Sequence, residues 1–195
     1  MLITQTIEID QPIDEVWSFF DRLPDVAACI PGANLTNEVA KDHYAGDIII
    51  KAGPVKLEFA GSAKVVSRDQ AKKIIVIDAS GADKKGRGAA SAILKGELHG
   101  SGRSTKVDIS LDMQISGAAA QFGRGLVSDV TAVLVKQTAN GMKSRMDAIA
   151  KGIDPNSVSS VQSASGLAIG LTAFARAAKR VFARFFLPYK SAPVR

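Results

Sequence analysis

The chain is expected to form an α+β domain. A curved antiparallel sheet of about seven strands wraps around a long C-terminal helix, two short helices follow the first strand, and an amphipathic tail helix lies beyond. Three observations carry this expectation. Residues 33–115 read as successive strands in which apolar side chains alternate with polar ones, the pattern of a sheet with one wet and one covered face. From Ser116 to Ile149, Phe122, Leu126, Val130, Val133, Leu134, Met142, Met146 and Ile149 recur at three- and four-residue steps, which gives a long helix one apolar face. After Ile149 the composition turns Ser-rich and then periodic again, so the domain ends there and a tail begins.

Leu2 to Ile9 reads as the opening strand. Pro12 then precedes a helix with Asp14 and Glu15 in its first turn and Val16, Trp17, Phe19 and Phe20 to bury, as proline and acids favour a helix N-terminus. Pro24 interrupts it, a second short helix follows, and Cys29-Ile30-Pro31-Gly32 closes in a turn. Asp47–Lys51 and Val55–Phe59 flank Ala52-Gly53-Pro54 as a hairpin. Lys72 to Ala79 is a strand, Gly81 to Gly88 a Gly- and Lys-rich turn, Ala89 to His99 a strand and Gly100 to Gly102 a turn. Val107, Ile109, Leu111, Met113 and Ile115 then alternate with Asp108, Ser110, Asp112 and Gln114, the cleanest period of two.

The long helix has Asp129, Lys136, Lys143 and Arg145 mainly on its other faces. Its first turns hold Gly117, Ala118, Ala119, Ala120, Gly123 and Gly125. So little side-chain volume either lets the helix sit close on the sheet or leaves a space beneath it. Alternation directs Phe20, Ile48, Ile50, Leu57, Phe59, Leu94, Leu98, Leu111, Met113, Ile115, Phe122, Leu126 and Val130 to one interior. That interior is a candidate apolar ligand site; a solid core is the competing reading.

The 195-residue chain has a net charge of +6. Lys151, Arg176, Lys179, Arg180, Arg184, Lys190 and Arg195 stand against one acid, Asp154, so residues 151–195 carry all of it. A balanced residue 1–150 domain argues against a nucleic-acid face and for an anionic partner of the tail. Residues 151–165 read as a flexible Ser-rich linker. In residues 166–195, Leu167, Leu171, Phe174, Val181, Phe182 and Phe185 form one stripe and Arg176, Lys179, Arg180 and Arg184 the opposite one. Such a helix suits an anionic membrane interface; docking on the protein's own core or on a partner protein are the alternatives.

Catalytic signals are poor, and no catalytic or metal-binding residue is assigned. His43 and His99 lack a Cys or carboxylate at metal-ligand spacing. Cys29 reads as a small buried side chain, and Asp78 and Asp83 as solvated turn residues. Gly81–Gly88 lacks the spacing of a phosphate-binding loop. A single cysteine and an N-terminus without a secretory pattern suit the cytoplasm, with the tail at the inner face of the cell membrane.

Pro12-Ile-Asp-Glu-Val-Trp17, Cys29-Ile-Pro-Gly-Ala33, Gly53-Pro-Val55 leading to Phe59-Ala-Gly61, and Gly117-Ala-Ala-Ala-Gln-Phe-Gly-Arg124 together resemble the G-subunit family of carbon monoxide dehydrogenase. Pro-x-x-x-Val-Trp is shared by many helix-grip proteins of the START and polyketide-cyclase type; the other elements narrow the resemblance, which covers about residues 1–150. Residues 82–90 depart from the family's glycine-rich pattern, with Asp83, Lys84 and Lys85. The resemblance implies a helix-grip fold with an interior apolar pocket. It also implies a non-enzymatic accessory role for a molybdenum-containing CO dehydrogenase, recruiting it to the membrane without binding its cofactor or turning over CO. A lipid-sized interior joined to a membrane-seeking tail adds an expected mechanism. The protein would lift an isoprenoid quinone, menaquinone or ubiquinone, from the bilayer and present it to the dehydrogenase as electron acceptor. Its rivals are a cyclase- or hydrolase-type enzyme using the same pocket and an assembly scaffold with a filled core.

Overall fold

Strand formation follows the alternation closely. A computed structural model describes residues 1–52 and 55–155, though not the side chains of Ala52, Val55, Ala119, Phe122 and Arg124. The strands are β1 (Leu2–Ile9), β2 (Ala33–Ala40), β3 (His43–Ala52), β4 (Val55–Asp69), β5 (Ile74–Asp83), β6 (Ala89–Ser101) and β7 (Ser104–Ile115). They form one antiparallel sheet in the order β1-β7-β6-β5-β4-β3-β2. The helices are α1 (Ile13–Phe20), α2 (Leu23–Ala27) and α3 (Gly123–Ala150), with a 3-10 turn at Gly117–Phe122.

The expected sheet, short helices and long helix are therefore present. Three local expectations are corrected. The long helix does not begin as α-helix: Gly117 has φ +71°, and a Cβ there would lie 2.4 Å from the Arg87 carbonyl oxygen. Only glycine fits, and the small residues after it wind as a tighter 3-10 turn. The strand expected at Lys72 starts at Ile74, because Lys73 has φ +55° in the turn, and it continues through Gly81 and Ala82 to Asp83. Strand β6 likewise runs on to Ser101, leaving Gly102 and Arg103 as the turn.

The core lies at one end. Ile9, Val16, Trp17, Phe19, Phe20, Leu23, Cys29, Ile75, Ile77, Leu98, Val107, Met142 and Met146 form a single buried cluster. Helix α1 enters it with four large side chains, Val16, Trp17, Phe19 and Phe20, buried within eight residues. Gly141 lets α3 approach closely, since a Cβ there would already lie 3.3 Å from the Cys29 carbonyl oxygen. Gln11 Nε2 donates to Asp147 Oδ1 at 3.0 Å, and Lys143 pairs with Asp10. Arg145, expected on a polar face, is 6% exposed, whereas Ile149, expected on the apolar face, is 44% exposed. Helix α3 lies closest to β1, and its last turns are rotated so that Arg145, Met146 and Ala148 are buried while Ile149 faces outward.

Candidate functional site

The other end of the concave face is not filled. Cross-strand register places Ile48, Ile50, Leu57 and Phe59 of β3 and β4 beside one another, and Leu111, Met113 and Ile115 on β7 across the sheet. Ile48, Ile50, Leu57, Leu94, Leu111, Met113, Ile115 and Leu126 are all only half-buried. Between the two groups the inward positions are small. Gly46, Gly61, Gly81 and Ala90 form one cross-strand row, and Ala63, Ala79 and Ala92 the next. These short side chains hollow the middle of the concave face, leaving an apolar groove between the two groups.

A separate hollow of about 540 Å³ is bounded by Gly61, Ser62, Ser80, Gly81, Ala82, Ala89, Ala90, Ser91, Gln114, Ile115 and Ser116. Ser62, Ser80, Ser91 and Gln114 pair across four strands and alternate onto the convex face. It is open to solvent, with four serines and Gln114 beside glycines and alanines. The sheet is thin here because the same triplets, Gly61-Ser-Ala63, Ala79-Ser-Gly81 and Ala89-Ala-Ser91, are small on both faces. That clustering is the signal in the sequence that points to the hollowed region, more directly than the glycines of the helix.

At the groove's mouth, Asp83 is 4% exposed and holds three segments together. Arg87 donates Nε to Oδ2 at 2.8 Å and Nη2 to Oδ1 at 2.8 Å, a bidentate pair. The amides of Lys85, Arg87 and Glu58 donate to the same carboxylate at 3.1, 3.2 and 3.3 Å. Arg87 Nη2 also donates to the Lys56 carbonyl at 2.9 Å, and the Arg87 carbonyl accepts from Ala118 N at 2.6 Å. The guanidinium, then the converging amides, hold the Asp83 carboxyl far below the usual carboxylate range. Asp83 is therefore a buried clasp between the β3–β4 hairpin, the β5–β6 turn and the start of the 3-10 turn, not the solvated turn residue expected from its charge. Asp78 is exposed, as expected, but lies within strand β5 rather than in a turn.

Of the thirteen predicted pocket residues, Phe20 and Leu98 belong to the closed core cluster. Phe59 and Val130 are buried. Leu94 packs against that cluster, the other seven half-buried residues named above line the open end, and the Phe122 side chain lies outside the described residues. Also outside them lie Gly53 and Pro54, residues 156–165 of the linker, and the tail with Leu167, Leu171, Phe174, Arg176, Lys179, Arg180, Val181, Phe182, Arg184 and Phe185. Cys29 is buried; burial, its largest influence, pushes its thiol up to about 11. His99 Nε2 lies 3.4 Å from Asp108 on the exposed face, and among the described residues no group of three His, Cys, Asp or Glu is placed to hold a metal ion. No helix among them is long and apolar enough to cross a membrane.

Solved structures share this architecture. A conserved protein from Geobacillus kaustophilus is 18% identical, with TM-score 0.69 over 75% of this chain and 95% of its own. A START superfamily protein from Mycobacterium smegmatis is 10% identical, with TM-score 0.54 over 76% and 98%. The Zhui aromatase/cyclase from Streptomyces sp. R1128 is 10% identical, with TM-score 0.51 over 77% and 95%. At these identities the likeness is one of fold, and it is the START-like helix-grip fold. No curated protein matches the chain in sequence. The family model for the G subunit of carbon monoxide dehydrogenase (CoxG) matches residues 6–147, nearly the whole of the folded domain, and the chain belongs to that family.

Proposed function

We propose that this protein is a non-catalytic accessory subunit that recruits a molybdenum-containing CO dehydrogenase to the membrane. It holds a hydrophobic ligand, a respiratory quinone such as menaquinone or ubiquinone, in its concave groove and delivers it as electron acceptor. The family's description supports the dehydrogenase as partner. One observation carries the ligand: inward apolar side chains on β3, β4 and β7 stay half-exposed at the open end of the sheet. A folded domain ordinarily buries such a contiguous apolar surface, and one left open marks a binding site. The small residues at its centre supply room for a chain of prenyl units. Leu167, Leu171, Phe174, Val181, Phe182 and Phe185, with Arg176, Lys179, Arg180 and Arg184 opposite, form the membrane anchor. Its basic and apolar stripes suit the cytoplasmic leaflet.

The enzymatic alternative needs an acid or base free to act in the groove. The buried carboxylate nearest its mouth, Asp83, is committed to Arg87 and three backbone amides. Native mass spectrometry of full-length protein made in a quinone-producing host tests the proposal. A mass increment matching menaquinone or ubiquinone, released by organic extraction, is the expected result. Ligand-free protein from such a host would sink the quinone reading.

A further inference from the structure

We infer that the hairpin tips around the groove's mouth form a second membrane contact, which seats the mouth directly on an anionic lipid surface. The inference rests on the reading that the groove takes a lipid. Lys51 and Lys56 stand directly opposite each other across the β3–β4 ladder. Like charges in that arrangement destabilise a hairpin, so folding alone does not favour them. The β5–β6 turn brings Lys84, Lys85 and Arg87 against the same hairpin: Lys84 N donates to the Glu58 carbonyl at 2.7 Å, and Arg87 Nη2 to that of Lys56 at 2.9 Å.

Three acids answer these five cations. Glu58 pairs with Lys56 at 2.5 Å, Asp47 with Lys84 at 3.3 Å, and Asp83 with Arg87 at 2.8 Å. Lys51 and Lys85 are exposed and form no ion pair among the described residues. The turns at the opposite end are answered differently. Arg68 meets both Asp21 and Asp42, Lys72 meets Asp69, and Lys73 meets Asp14, while Lys41 and Arg103 form no ion pair among the described residues. Those cations are balanced by these four acids together with Glu38, which caps the β2–β3 turn, so the larger excess of positive charge gathers where the groove opens.

Apolar surface accompanies it. Ile50 and Leu57 are half-buried just inside the rim. A cationic rim around apolar contacts suits a headgroup layer, and a lipid entering the groove must cross this rim. An acidic protein face would satisfy the lysines but leave the groove's opening without a use for its apolar edge.

The tail does not hinder this orientation. Helix α3 has 28 residues, so its end lies about 42 Å from its start at the mouth. Residues 151–165 can reach back at most about 50 Å, enough for tail and mouth to rest on one bilayer.

Lysine acetylation footprinting of the full chain tests this on vesicles with 30% phosphatidylglycerol and on neutral phosphatidylcholine vesicles. Labelling of Lys51, Lys56, Lys84 and Lys85 should fall at least fivefold on the anionic vesicles only, while Lys72, Lys95 and Lys106 keep their reactivity. Protection confined to the tail lysines would overturn the inference. So would protection of the tips by CO dehydrogenase rather than by vesicles, which would make the face a protein interface. The Lys51→Glu, Lys85→Glu double variant should extract menaquinone from anionic vesicles about 25-fold more slowly, each removed cation accounting for roughly fivefold in surface attraction. Its uptake of menaquinone from non-ionic detergent micelles should match the wild type. An unchanged vesicle rate would refute the docking. Failure of both proteins in micelles would refute the ligand reading instead, leaving the footprint to judge the docking.

Discussion

The two ends of the concave face share the same seven strands but differ in what their inward side chains meet. At the α1 end, Ile9, Ile75, Leu98 and Val107 are covered by Val16, Trp17, Phe19, Met142 and Met146 in one buried cluster. At the hairpin end, Ile48, Ile50, Leu57, Leu111, Met113 and Ile115 are left half-exposed. Part of the difference lies in the strands, where glycines and alanines occupy the inward positions of β3 to β6 between the two ends. The rest comes from the covering layer. Large side chains on α1 and on the second half of α3 close one end; the 3-10 turn and the small residues after it cannot close the other. One end is built for stability and the other for binding.

The largest test of that division is Met142→Ala. Its side chain is fully buried against the α1 cluster, so truncation should cost about 2–5 kcal/mol, seen as a lower urea midpoint at unchanged slope. A loss below about 1 kcal/mol would mean that the closed end does not dominate stability.

The clasp at the open end should come next. Asp83→Asn removes the charge that Arg87 grips and should lower Tm by on the order of 5 °C. The pH dependence follows from the depressed carboxyl. A group that ionises more readily when folded contributes stability that is complete above its unfolded value, about pH 4, and drains away as the pH falls through its folded one. Melts between pH 5 and 2 should therefore fall more steeply for the wild type than for the variant; parallel curves would deny the clasp any pH-linked contribution.

The smallest effect on stability should come from the groove itself. Met113→Ala removes a half-buried side chain and should cost no more than about 1 kcal/mol. It should nonetheless weaken binding of an apolar fluorescent probe several-fold. A variant that loses stability but keeps its affinity would erase the distinction between the two ends.

Much of the fold was legible in the residues. Strand β1 spans Leu2–Ile9 as expected, α1 buries Val16, Trp17, Phe19 and Phe20, and the alternation along β7 sets its faces. Two misplacements are instructive. Asp83 reads as solvated beside glycines and lysines, but the register of β5 carries it to a buried strand end, where Arg87 lies four residues on. Phe20 and Leu98 fit an inward pattern as well as Ile50 or Met113 do. Periodicity gives the face a side chain points to, not what stands opposite.

Composition and spacing alone determined the antiparallel sheet, the long helix, the balanced charge of the domain and the basic composition of residues 151–195. They did so because each depends on contacts or charges close along the chain. The tertiary structure decided which inward residues are covered, that small residues on β3 to β6 hollow the sheet, and that Asp83 joins three distant segments. It also decided that the lysines of two hairpins gather at one mouth. Those outcomes depend on cross-strand register and on the line α3 takes over the sheet, and neither is set until remote segments pack.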